Sequence, residues 1–206
     1  DYYLSNAEDF QGMHGSAGFE LMDDAICDLG AASKLMLGWY REDQIAVYDR
    51  SSGSASFDLY DAQSDRGNCV IIPAVDLGDK YRAEFFIIEY ATMNGNNADL
   101  SKEWWRSTGS GVRIYHISAE VTGDPWFNSW MFASGNDEYT NYNKGRRFIR
   151  LVGEGDDYTD NFFRTGDVIT GSTIGFRWYD WDDELTIDPK ISISVGEFDG
   201  EKYGIT

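Results

Sequence analysis

Histidine is scarce in this chain: His14 and His116 are the only two among 206 residues. A three-histidine zinc site is therefore excluded from within it. Cysteine is equally scarce, with Cys27 and Cys69 far apart and in no metal-ligand spacing. They either pair as a disulfide or stand as buried thiols, and the spacing leaves both open. Cations are few, with 17 Lys and Arg against 36 Asp and Glu, for a net charge of -19. Such a surface repels phosphate backbones and anionic lipid, so nucleic acid is excluded as a partner class. No apolar run approaches the roughly 20 residues that span a bilayer, so no membrane span is expected. No leader is visible, and Asp1-Tyr2-Tyr3 reads as the inside of an ongoing sequence.

Apolar and aromatic residues are plentiful, at 42% hydrophobic and 16% aromatic. That is enough to bury a sizeable core in one large domain, or one domain plus a fragment of another. Residues 1–24 are loop-like, with Gly12, Gly15 and Gly18 and no sustained period, and loose packing is expected for them. A helix is predicted over Asp28–Trp39, with Asp28 as N-cap and Leu29, Ala32, Ser33, Met36 and Trp39 on one buried face. Strands follow at Ser54–Tyr60, Cys69–Val75, Arg82–Tyr90, Gly111–Ser118, Arg147–Val152 and Ile191–Val195. Phe85, Phe86, Ile87 and Ile88 fill both faces of the third, as in a central buried strand. Short strands with Gly- and Asp-rich turns behind one helix predict a mostly-β fold, an antiparallel β-sandwich.

Carboxylate pairs are frequent (Asp23-Asp24, Asp156-Asp157, Asp182-Asp183-Glu184), as 36 acids make them by chance. Glu89 stands apart, because it lies in the most apolar strand. A carboxylate there must be paired, hydrogen-bonded or at the rim. Gly109-Ser110-Gly111 lacks the nucleophile elbow of serine hydrolases. Gly12–Gly18 lacks the Lys-Ser/Thr ending of a phosphate loop, and His14 within it reads as a loop histidine. Three loops bunch oxygen ligands around glycine: Asn94–Asp99, Ser134–Asn141 and Glu154–Asp160. Calcium takes six to eight such oxygens, and ordinary turns use the same residues. Trp104-Trp105 and Trp126–Trp130 serve either as core or as a sugar-binding aromatic surface.

Three segments in order, Asp1-Tyr2-Tyr3, Gly18-Phe19-Glu20-Leu21-Met22-Asp23 and Ala32-Ser33-Lys34-Leu35-Met36-Leu37-Gly38-Trp39, resemble the end of the catalytic domain in the immune inhibitor A-like secreted metallopeptidases. Downstream, Glu84–Tyr90, Gly111–Ile117, Gly166-Asp167 and Ile191–Ser194 are similar to strands of the sandwich that follows the peptidase domain there. The resemblance implies that Asp1 matches the last zinc ligand and Met22 the methionine turn beneath the metal. It implies a catalytic-domain remnant at 1–42 and a β-sandwich at 43–206. The His-Glu-x-x-His helix would lie before residue 1, and Asp1 by itself cannot hold zinc. The expectation is thus the C-terminal part of an extracellular zinc endopeptidase acting on protein or peptide, inactive without its upstream catalytic half, with calcium as a further candidate ion. The alternative is a non-enzymatic extracellular module that binds carbohydrate or protein.

Overall fold

The computed structural model describes residues 27–74, 83–102, 109–124, 129–132, 148–153, 162–179 and 185–206. Asp1, Met22 and His14 lie outside them, as does the loop-like segment 1–24.

The chain is mostly β and sandwich-like. Thirteen strands are assigned among the described residues. The first sheet joins β1 (Ile45–Val47), β3 (Cys69–Pro73), β4 (Glu84–Ala91), β5 (Gly111–Ser118) and β8 (Ile149–Leu151), in the order β1-β3-β4-β5-β8. The second joins β2 (Phe57–Tyr60), β13 (Lys202–Ile205), β12 (Ile193–Phe198) and β9 (Val168–Ile169), in the order β2-β13-β12-β9. Two ribbons complete it: β6 (Val121–Asp124) with β7 (Ser129–Phe132), and β10 (Trp178–Tyr179) with β11 (Leu185–Ile187). Among these strands pairing is antiparallel except for β1, which runs parallel to β3.

The first sheet is covered on both faces, which explains the doubly apolar β4. Phe86, Ile88, Val112 and Ile114 face the second sheet and pack on Ile193, Val195, Tyr203 and Ile205. Phe85, Ile87, Tyr115 and Ile117 face the other way, onto Cys27, Ala31 and Ala32. Each such side chain taken fully from water contributes about 1.5–3 kcal/mol. Phe86 is sandwiched by Phe176 and Trp178, with ring centroids 4.3 and 4.1 Å away. Strand β2 lies at the edge of the second sheet, and a side chain stands in for the missing neighbour. Asn68 accepts from Tyr60 N and donates to Asp58 O, both at 2.8 Å, so the edge is partly closed to another strand.

The helix departs from expectation. It spans Ala31–Met36, not Asp28–Trp39. Gly38 stops it: at φ 68 it passes Trp39 N to Lys34 O (2.9 Å) while its own amide reaches Leu35 O (3.1 Å). This is a Schellman closure, and glycine adopts that φ without steric penalty. Leu29 and Ala32 are buried as expected, but Met36 and Trp39 are 47% and 60% exposed. Its buried residues are Ala31, Ala32, Ser33 and Lys34. Asp28 is not the N-cap either; Gly30 holds that position and offers no side chain.

Candidate functional site

The chemistry-bearing residues gather where segment 27–40 lies on the first sheet. Antiparallel register sets Cys69, Glu89 and Arg113 in one row across β3, β4 and β5. Residues directly opposite share a face, so these three side chains all point at the helix. Glu89 is fully buried and Arg113 nearly so. Glu89 Oε1 lies 3.2 Å from Arg113 Nη2 and accepts from the Tyr115 hydroxyl at 3.2 Å. Its Oε2 accepts from Ala31 N at 2.9 Å. The helix cap that Gly30 lacks thus comes from a strand 58 positions away. A carboxylate at the first helical amide also meets the positive end of the peptide dipoles. Of the three states open to a carboxylate in this strand (paired, hydrogen-bonded or at the rim), Glu89 is both paired and hydrogen-bonded.

A second clamp lies beside the first. Lys34 Nζ binds Asp28 Oδ2 at 2.6 Å and Ala62 O at 2.8 Å. Asp28 N donates to Asn97 Oδ1 at 2.9 Å, and Asn97 Nδ2 donates to Thr92 O at 2.9 Å. Asn97 therefore works as a brace within the segment Asn94–Asp99, which forms the start of a 3-10 helix, Gly95–Lys102. Gln63 takes two more groups of that segment, Asn94 O and the amide of Asn96. The loops Ser134–Asn141 and Glu154–Asp160 lie outside the described residues, as do the three carboxylate pairs.

Neighbouring groups are silenced by the same burial. The Tyr40 hydroxyl is buried without a hydrogen-bond partner, and burial first, then the Glu89 charge, hold its pKa well above the usual phenol range. Burial, then Glu89, likewise pushes the Cys69 thiol far up, which leaves it unreactive. Cys27 and Cys69 are both buried in one core cluster and form no disulfide with each other. Ser110 serves structurally, its hydroxyl accepting from Met93 N at 3.4 Å.

On the opposite face of β5, His116 is completely buried. Its Nε2 lies 2.8 Å from Glu84 Oε1, which also accepts from Tyr179 N at 2.8 Å. Nδ1 has no partner. The ring is edge-on to Phe86 and Tyr179, at 5.6 and 5.2 Å. Burial depresses its pKa, the Arg150 charge adds to that, and only the Glu84 hydrogen bond and charge oppose them. A neutral imidazole beside a carboxylate has the parts of a general base, but packing shuts this one off from any substrate.

Sequence reasoning singled out Glu89 but not its partners. Arg113 and His116 had a visible signal, as polar residues inside the apolar run 111–118. Lys34, Asp28 and Asn97 had none, because their meeting is tertiary. Trp104, Trp105 and Trp126 lie outside the described residues. Among the described residues no three His, Cys, Asp or Glu side chains are grouped to hold a metal ion. They do not fit a zinc centre, and no metal step is assigned to them. No protein-family model, curated protein or solved structure matches the chain.

Proposed function

We propose that this chain is the C-terminal part of a secreted zinc endopeptidase, with 1–42 as the tail of the catalytic unit and 43–206 as the sandwich that carries it. The ordered motif resemblance supports this reading. The observation that carries it is the double clamp, Glu89 on Ala31 N and Lys34 on Asp28 and Ala62 O. Segment 27–34 thereby shares one core with the first sheet. A catalytic unit ending on that segment would be held rigidly to the sandwich, as the alignment of zinc, water and peptide demands.

Zinc would supply an activated water and polarise the peptide carbonyl. Its ligands would come from Asp1 and from histidines ahead of it; the described residues brace the segment that follows. The test compares casein hydrolysis by the 206-residue chain with hydrolysis by a polypeptide carrying a His-Glu-x-x-His helix directly ahead of Asp1. The longer chain is expected to be active and chelator-sensitive, the shorter inert. Chelator-sensitive turnover by the shorter chain, or inertness of a zinc-loaded, folded longer one, refutes the proposal.

One observation favours a second reading, a binding module without catalysis. Met36, Leu37 and Trp39 form an exposed apolar knob at the end of the helix, at 47%, 56% and 60% exposure. Trp39 fluorescence that shifts on adding an oligosaccharide or a surface protein would favour this reading.

A further inference from the structure

Between the two sheets lies a cavity of about 220 Å³, half open to solvent. Val70, Ile72 and Ile88 of the first sheet and Phe57, Ile193 and Ile205 of the second line it. An engineered cavity of about 150 Å³ holds benzene, so this space admits a larger apolar body. The hydroxyl-bearing Ser54 and Ser192 also line it. One lining side chain is charged, and it is a cation, Lys190, in a chain of net charge -19.

Lys190 is conspicuous for a second reason. At φ 57 it is the one non-glycine residue with positive φ among the described residues. Such a conformation costs about 1–3 kcal/mol and persists only where the surroundings impose it. Two contacts do so. Asp188 Oδ1 accepts from Lys190 N at 2.9 Å, and Arg50 reaches across from Ala74 O to Pro189 O, at 3.1 Å each. The turn is thus pinned from both sides, with Lys190 in the lining of the cavity. Asp188 Oδ2 takes one ammonium proton at 3.0 Å. That pair is solvent-exposed and weak, and two donors remain for a ligand.

We propose that this cavity binds a medium-chain aliphatic carboxylate, its tail between the sheets and its carboxylate on Lys190. The aliphatic lining suits the tail, and the lone cation suits the head. The site shares no residue with the Glu89 clamp and does not rest on the peptidase reading.

Calorimetric titration of the purified chain with octanoate, and with octan-1-ol as the neutral analogue, tests it. Octanoate should bind saturably and about two- to fivefold tighter than the alcohol, the worth of an exposed ion pair. Lys190→Gln should erase that difference. Ser192→Trp, at an exposed position beside the cavity, should block both ligands. Both variants change exposed side chains, and unchanged near-ultraviolet dichroism will establish that they fold. Absence of saturable octanoate binding overturns the proposal. So does equal affinity for the alcohol, an unaltered Lys190→Gln variant, or full binding by Ser192→Trp.

Discussion

Acid should weaken this protein through His116, before its carboxylates titrate. The imidazole is fully buried, its Nδ1 lacks a partner, and its pKa lies below the ordinary 6.5. A proton added at Nδ1 would have no acceptor and would lie near Arg150. In the unfolded chain the same group takes up its proton near the ordinary value. Below about pH 6.5 the unfolded state therefore binds more protons than the folded one, and stability falls as the pH falls. One proton gives a slope of up to about 1.4 kcal/mol per pH unit, which fades as the pH drops through the folded-state pKa. Above the unfolded pKa this contribution is flat. Domains of this kind hold about 5–15 kcal/mol in all, so one unit of acid removes a sizeable share. Urea denaturation at pH 7.5, 6.5 and 5.5 reads the effect directly. The midpoint should fall with acid for the parent and stay level for His116→Gln, which keeps a donor toward Glu84 without a titrating ring. A parent midpoint independent of pH, or a His116→Gln slope equal to the parent's, would refute the reasoning. So would an imidazole resonance in the folded protein, assigned to His116, that titrates at or above the ordinary value.

Glu89→Ala should destabilise by about 3–5 kcal/mol, because Arg113 stays buried without its carboxylate and the Ala31 amide loses its acceptor; chemical denaturation measures it. Trp39→Ala should change stability by under about 0.5 kcal/mol, since the ring is 60% exposed, and a large loss in the same assay would contradict the described helix end. Asn68→Ala should cost about 1 kcal/mol and raise the self-association seen by light scattering, because it bares Tyr60 N and Asp58 O on an edge strand.

The strands most readable from the sequence are β4 and β5, whose apolar runs match burial on both faces. The bounds expected for the latter, Gly111–Ser118, are those observed. The mostly-β, sandwich-like architecture follows from the same signal. Strand β13 escaped notice because Lys202-Tyr-Gly-Ile205 carries two apolar residues in four, and β1 because three residues hold no period. The expected helix is longer than the observed one because periodicity counts Met36 and Trp39 as core, whereas the helix ends at Met36 and both side chains face solvent. Of the candidate site, Glu89 was legible as a charge where charges are costly. Its partners were not, since Ala31 contributes only a backbone amide, which no sequence pattern distinguishes.

The long reach of that amide has a mechanical meaning. Six residues are too few for a helix to stand alone in water, so this one exists only while the sheet holds it. Tension arriving along the chain toward Cys27 is not borne first by the helix. It passes through Asp28 N to Asn97 and through Ala31 N to Glu89 in mid-strand. The load thus enters β4, which is zipped along its length to β3 and β5, and peeling the front of the chain means prising at the sheet's most firmly paired strand.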